Sequence, residues 1–219
     1  MSGTRIISVD TQNPEREALD AALAVLRRGE VIVFPTETLY GLGCDAFDEA
    51  AVRRLYDLKR RDSRKPILVL AHDMNLVTDC VAAVPGAAQL LAEEFWPGPL
   101  TIVLPASSRA PSLLTAGTGK IGIRIPSSPL CLKLIGEFGR PVTATSANLS
   151  GQKDLQTVHG LLTLFSGKVP LILDGGVQKQ TTPSTVVDVT SKRVKLLREG
   201  VIPLARLHEV LHDIEVASV

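Results

Sequence analysis

Val31-Ile-Val-Phe34 is a continuous apolar, β-branched run, and Pro35 stops it at once. A run of that kind fits a strand buried in a core, so the rest of the chain must cover it. Proline removes a backbone donor and breaks the ladder. Beyond it the character changes. Thr36-Glu-Thr-Leu-Tyr-Gly-Leu-Gly43 puts small hydroxyls and two glycines at the strand end, where backbone amides can approach a ligand closely. The bland alternative is an irregular turn. The choice between the two depends on what converges on this stretch from elsewhere.

Strands and helices mix along the whole chain. Thr4–Val9 reads as a strand, followed by a helix opened by Asn13-Pro14 and ended by Gly29, with Leu19, Ala22, Leu23 and Leu26 in its stripe. Asp48 can cap a second helix that places Val52, Leu55, Tyr56 and Lys59 on one face. A lysine on the buried side of a helix points towards something. After the charged loop Arg60–Lys65 come a strand over Pro66–Leu70, two helical pieces over Asp73–Phe95 and a rigid turn at Trp96–Pro99. Leu100–Leu104 reads as a further strand and Ser107–Gly119 as a flexible loop. Lys120-Ile-Gly-Ile-Arg-Ile125 alternates, with its isoleucines on one face and Lys120, Gly122 and Arg124 on the other. The two cations therefore share a face, and a glycine between them leaves room for a ligand.

A helix from Ser128-Pro129 to Gly139 and a short strand Pro141–Thr145 lead into the polar turn Ser146-Ala-Asn-Leu-Ser-Gly151. Asp154 can cap the next helix. Strands over Leu171–Leu173, Ser184–Val189 and Arg193–Leu197 precede a last helix spanning 204–214. The expectation is one α/β domain, residues 1–219, on a twisted sheet of mixed parallel and antiparallel strands flanked by helices.

With 219 residues and 45% hydrophobic content, one full core is within reach. A net charge of +1 gives no global field for holding long nucleic acid. Cys44, Cys80 and Cys131 are an odd number, far apart, with neither a disulfide framework nor a zinc-binding spacing, as expected of a reducing cytoplasm. No signal-peptide core precedes Asp10, and no apolar run approaches membrane-spanning length. The expectation is a soluble cytoplasmic protein.

Three superficial motifs fail on context. Gly41-Leu-Gly-Cys-Asp-Ala46 fits G-x-G-x-x-G/A, but its first glycine lies well past the strand end and no helix starts on it. Gly119-Lys120 would need glycine at Leu114 and a hydroxyl at Ile121 to make a phosphate-binding loop. His208-Glu-Val-Leu-His212 satisfies H-E-x-x-H, yet only Glu215 follows as a third ligand and nothing builds the other wall of a cleft. A solvated helix is the better reading.

What remains is a set of polar groups at strand ends and loops: Thr36 and Thr38, Lys59 and Arg61, Lys120 and Arg124, Ser146 and Asn148, Ser184, Arg198. Cations and hydroxyls around a glycine-bearing loop suit a phosphate-rich small molecule. Lys and Arg neutralise phosphate, Ser and Asn fix geometry, and glycine admits the backbone.

Six stretches together carry a resemblance. They are Pro35–Gly43, Lys59-Arg-Arg61 leading to Pro66, Trp96-Pro-Gly-Pro-Leu-Thr101, Gly122–Pro126, Ser146–Gly151 and Pro183–Asp188. In this order the chain resembles the Sua5/YciO/YrdC family, whose best-known activity is threonylcarbamoyl-AMP synthesis, over roughly residues 10–203. The resemblance implies a twisted sheet around a concave, positively charged cavity. It implies a nucleotidyl transfer that joins L-threonine, bicarbonate or CO2, and ATP into threonylcarbamoyl-AMP with release of pyrophosphate. The product would go to a downstream threonylcarbamoyl transferase complex for N6-threonylcarbamoylation of adenosine 37 in tRNA. It also implies Mg2+ carried by the ATP phosphates and direct tRNA binding as an option. Lys59, Arg61, Ser146 and Asn148 match the family's nucleotide-binding and catalytic elements, with Ser63, Lys120 and Arg198 as further nucleotide contacts. Thr36, Leu70, Arg124, Ala144 and Ser184 match threonine contacts, Arg124 being the natural partner of the carboxylate.

Three positions depart from the family's common pattern. Leu70 stands where many members have histidine, Asp62 follows Arg61 in place of proline, and Asp154 replaces a frequent serine. These features resemble the YciO branch, whose implied role is nucleotide or RNA binding with weak or different synthase activity. The separate C-terminal domain of longer Sua5 proteins is not expected. In the implied reaction the carbamate must form away from water. Anionic attack on the α-phosphorus then needs dense positive charge, from Lys59, Arg61, Lys120 and Arg198. No covalent nucleophile is evident, and positioning is the main device. An RNA-binding module would carry more exposed aromatics and a basic excess. One tryptophan, two tyrosines and five phenylalanines speak against it.

Overall fold

A computed structural model describes residues 3–152, 155–178, 180, 182–212 and 216–218. The buried run becomes β2 (Ile32–Pro35), which together with β1 (Arg5–Ser8) brackets helix α1 (Arg16–Arg27). Six apolar residues of α1 are buried, so the 3.6-residue stripe holds. Its start differs from expectation. Glu15 and not Asn13 occupies the N-cap, and Glu15 Oε2 accepts from the Asp10 amide at 3.1 Å. That contact ties the strand-to-helix turn to the helix two residues later than the Asn-Pro pair implies.

Pro35 does not end the pairing. It is the last residue of β2 and faces Tyr40, because Tyr40–Gly43 returns as a second strand, β3, antiparallel to β2. A proline tolerates a ladder position whose amide is not required. The expected irregular loop is therefore a hairpin closed by the turn at 36–39. Packing accounts for Gly43: a Cβ there would meet Phe34 Cε1 at 2.5 Å and the Thr143 carbonyl at 3.0 Å. The last turn of β3 leads into α2 (Glu49–Lys59), whose N-cap Asp48 accepts from the amides of Ala50 and Ala51 as expected. Val52, Leu55, Tyr56 and Lys59 are all buried on one face.

The middle of the chain contributes β4 (Val69–Leu70), shorter than the expected strand, then α3 (Met74–Cys80) and α4 (Gly86–Phe95). β5 (Leu100–Pro105) follows the cis Trp96–Pro97 peptide. The loop expected to be flexible at 107–119 contains a short helix, α5 (Ser112–Thr115), which packs on α2. β6 (Lys120–Arg124) alternates as its sequence implies, burying Ile121 and Ile123. α6 (Pro129–Phe138) starts on Ser128 and stops at Gly139, which has a φ of +70°.

The expected strand at 141–145 is split. β7 (Val142–Thr143) and β8 (Thr145–Ser146) lie in different sheets, with Ala144 between them. Helix α7 (Val158–Phe165) is capped by Thr157, whose hydroxyl accepts from the Gly160 amide at 3.3 Å; Asp154, expected as its cap, lies outside the described residues. β9 (Leu171–Asp174), β10 (Thr185–Asp188) and β11 (Val194–Arg198) match their expected positions within a residue or two. Helix α8 (Leu204–Leu211) ends before His212, and the end of the expected helix, through Ile214, lies outside the described residues. A terminal strand, β12 (Val216–Ser218), was not expected.

The single mixed sheet of the sequence reading is two mixed sheets. One has the order β1-β9-β2-β3-β8 and the other β12-β11-β10-β5-β6-β4-β7. Parallel pairs such as β9/β2 and β5/β10 alternate with antiparallel ones such as β2/β3 and β5/β6. α1 packs on α6 beside the smaller sheet, and α4 packs on α8. The sheets are stitched where the chain passes from β7 to β8. There the Cys44 amide donates to Thr143 Oγ1 at 2.9 Å and the Thr143 amide to the Cys44 carbonyl at 2.9 Å. Away from this seam a cleft is left between them.

Candidate functional site

The cleft is a cavity of about 540 Å³. Its larger-sheet wall presents alternate residues of neighbouring strands: Lys120, Gly122 and Arg124 from β6, Thr101 and Val103 from β5, Ser184, Val186 and Asp188 at β10. This is the period of two applied to three adjacent strands. Gly122 keeps that wall low, since a Cβ there would sit 3.3 Å from Thr101 Cγ2 and 3.4 Å from Leu68 Cβ. The opposing wall comes from the 36–39 turn, Tyr40 and Gly41 of β3, and Ala144 to Ser146 at the seam. A second depression of about 310 Å³ opens alongside, lined by Lys59, Arg60, Lys65 and Asn148 among others. Arg61 and Ser146 line both spaces.

Each polar group is held by a definable set of bonds. Lys59, 1% exposed, donates through Nζ to the Ser146 carbonyl, to the Asn148 carbonyl at 2.8 Å and to Asn148 Oδ1 at 2.9 Å. Three donors meet three acceptors. The Lys59 carbonyl also accepts from the Ser150 amide at 3.1 Å, so the last turn of α2 grips the polar turn from both its backbone and its side chain. Within that turn Ser146 Oγ donates to Asn148 Oδ1 at 2.9 Å, and Asn148 Nδ2 to the Gln152 carbonyl at 2.7 Å. Arg61 bends back to the Lys65 and Pro66 carbonyls at 3.0 and 2.9 Å.

At the opposite end Thr36 Oγ1 donates to the Leu39 carbonyl at 2.7 Å and closes the hairpin turn. Arg124, its side chain 4% exposed, donates through Nη1 to Glu37 Oε1 at 2.8 Å and to Thr38 Oγ1 at 3.3 Å. Ser184 Oγ lies 3.0 Å from Thr101 Oγ1, and Arg198 donates from Nε and Nη2 to the Ser184 carbonyl at 3.0 and 2.8 Å. Lys120 donates to Asp188 Oδ2 at 2.8 Å. Burial pushes the Asp188 carboxyl up, but the bonds from Lys120 and Thr190 outweigh it, and the group sits below the usual carboxylate range. Tyr40 donates to the Gly176 carbonyl at 2.7 Å and accepts from the Gly175 amide at 3.0 Å. Burial raises its hydroxyl to about 12, so it remains a neutral strut.

The cleft thus brings together Thr36, Arg61, Lys120, Arg124, Ala144, Ser146, Ser184 and Arg198, and places Lys59 and Asn148 in the adjoining depression. Leu70 and Ser63 line neither space. Leu70 is fully buried in β4, paired with Arg124 and Val142, and it is Leu68 that faces the cavity. Ser63 is exposed on the 60–65 turn. Glu37, Thr101 and Asp188 were not singled out from sequence. Asp188 and Thr101 lie on strands at the cavity-facing parity, a signal that works only once strand order is known. The helix bearing His208 stops at Leu211, and His212 leaves it at a φ of +25°, so the two imidazoles do not share a helical face. Among the described residues no group of three His, Cys, Asp or Glu side chains is placed to hold a metal, and no helix is long and apolar enough to cross a membrane.

Residues 24–200 match the Sua5/YciO/YrdC family model, described as "Telomere recombination". A curated threonylcarbamoyl-AMP synthase of Vibrio vulnificus (strain YJ016) is 36% identical over 184 residues, covering 83% of this chain and 98% of its own length. Solved P. abyssi Sua5 complexed with L-threonine superposes with a TM-score of 0.92 at 37% identity, over 97% of this chain. E. coli YciO superposes with a TM-score of 0.84 at 27% identity, over 92% of this chain and 98% of that one. The chain spans 62% of the length of that Sua5, and the same share of the curated Pyrococcus abyssi (strain GE5 / Orsay) threonylcarbamoyl-AMP synthase.

Proposed function

The chain belongs to the Sua5/YciO/YrdC family, and on that premise we propose that it is an L-threonylcarbamoyladenylate synthase. The observation that carries this reading is the cleft itself. It gathers Arg61, Lys120, Arg124 and Arg198 with the hydroxyls of Thr36, Ser146 and Ser184 around one space of about 540 Å³. That volume suits a nucleotide joined to an amino acid. The relative solved with L-threonine supports the amino-acid half of the reading.

In the proposed reaction the threonine carboxylate pairs with Arg124 at the hairpin end, and the ATP phosphates lie towards Arg61 and the Ser146–Asn148 turn. The threonine amine adds to CO2 and loses a proton, giving a carbamate. A carbamate oxygen attacks the α-phosphorus, the bond to the bridging oxygen breaks, and pyrophosphate leaves. Arg61 sits between the two spaces, where it can neutralise charge as it develops on the leaving group. Lys59 acts at one remove: its ammonium holds the turn that presents Ser146 and Asn148. Mg2+ enters as part of the ATP substrate. In this reading the enzyme is a nucleotidyltransferase and its product feeds tRNA modification in the cytoplasm through a downstream transferase complex.

Mass spectrometry of a mixture of ATP, bicarbonate and L-threonine with the purified chain tests the proposal. Threonylcarbamoyl-AMP should form with threonine and not with glycine or valine. ATP binding without any threonine-dependent product would replace it with the YciO-like reading, to which the likeness to E. coli YciO and the leucine at position 70 lend weight.

A further inference from the structure

We infer that Glu37 is a positioning residue that sets which edge of the Arg124 guanidinium meets the amino-acid carboxylate. The inference rests on the reading of Arg124 just given. Glu37 stands in the turn between β2 and β3 and does not line the cavity, whereas Arg124 does. Their side chains are 16% and 4% exposed, and Nη1 of Arg124 donates to Glu37 Oε1 at 2.8 Å. A guanidinium so deeply buried needs a counter-charge, and Glu37 supplies it from behind the wall.

Where the bonds leave Arg124 matters more than how many there are. Both, to Glu37 and to Thr38 Oγ1, start from Nη1. Nε is buried without a partner among the described residues. By tying down Nη1, Glu37 and Thr38 fix the rotation of the planar fork about its long axis. Nη2 takes neither of those bonds, and in the inference it is the donor held for the substrate carboxylate, while Nε stays behind the wall. Thr38 belongs to the same turn as Thr36, whose hydroxyl accepts from the amides of Thr38 and Leu39 at 3.2 Å each. The turn is therefore rigid, and Glu37 rides on it. The second Glu37 oxygen, Oε2, is also buried and has no partner among the described residues. The pair is thus under-bonded on both sides, as expected of a contact kept for orientation and not for stability alone.

Steady-state kinetics of the full chain, varying threonine and ATP in turn, tests this. E37Q keeps the size and one acceptor oxygen but removes the charge. It should raise KM for L-threonine on the order of tenfold, the worth of a charge-assisted contact, and leave KM for ATP within about twofold. L-threoninamide, which lacks the carboxylate, serves as competitor: its inhibition relative to threonine affinity should strengthen in E37Q and return towards the parent value in E37D. A purely structural role would move both KM values together and leave that ratio alone; either result, or an unchanged threonine KM, overturns the inference. Should E37Q not fold, T38V, which removes the other contact on Nη1, is subject to the same comparison. The selective threonine effect is then expected in T38V, and a parallel shift refutes it. If the parent chain itself gives no threonine-dependent pyrophosphate release, the synthase reading fails and takes this inference with it.

Discussion

Lys59 is a charged side chain at 1% exposure whose ammonium donates three times to one turn far away in sequence. Lys59→Ala would strand the Ser146 and Asn148 carbonyls in a buried place. It should cost about 2–4 kcal/mol of stability in urea unfolding, along with activity. Arg61 is different. Half-buried and bonded to the neighbouring Lys65 and Pro66 carbonyls, it can be removed at little structural expense. Arg61→Ala should change stability by about 1 kcal/mol or less, yet lower threonine-dependent pyrophosphate release by roughly 100-fold or more. Turnover within tenfold of the parent would remove Arg61 from the proposed machinery. The inward direction of Lys59 was legible, because it falls on the helical period of Val52, Leu55 and Tyr56. Its partners were not, because nothing local couples position 59 to position 148.

At the scale of elements, the hairpin β2/β3 and the wall β5/β6/β10 decide the site. Gly43→Ala should cost about 1–3 kcal/mol, read by chemical denaturation, because Phe34 and the Thr143 carbonyl already fill the space a methyl would need. Parent-like stability would show that the sheets can part at the seam. The wall carries a pH signature. Asp188 is held below its ordinary range in the folded chain, so its contribution is fully present above the unfolded carboxylate value, near about 3.9. That contribution is lost as pH falls through the lower, folded value. Asp188→Asn should therefore be less stable than the parent at neutral pH and converge on it at strongly acidic pH, as measured by urea unfolding at stepped pH. A difference that stays constant with pH would mean the Lys120 contact is not what lowers the group. Alternation along β6 was readable from Lys120 to Ile125. That its polar face meets Asp188 across β5 was not, since strand order is set by long-range pairing.

For the whole molecule, the cysteines report on the fold. Cys44, Cys80 and Cys131 are buried and free, and burial pushes each thiol up to about 12. A thiol reagent at neutral pH should leave all three unmodified in the native chain and label them only as denaturant unfolds it. Early labelling of Cys80 alone would reveal local opening of α3. The wide spacing of the thiols was legible in the sequence, whereas their burial depends on how the sheets and helices pack.

The sequence by itself determined the buried run at 31–34, the helix faces, the alternation at 120–125 and the family, because these depend on local periodicity and on short motifs in order. It did not determine that Pro35–Gly43 is a hairpin, that residues 142–146 divide between two sheets, or that Leu68 and not Leu70 faces the cavity. Nor did it show that Glu37 stands behind Arg124. Those outcomes were decided by the tertiary structure, because a strand's partners and the facing of its side chains follow from which distant strand it pairs with. The cleft exists only where the two sheets, joined at Ala144, separate.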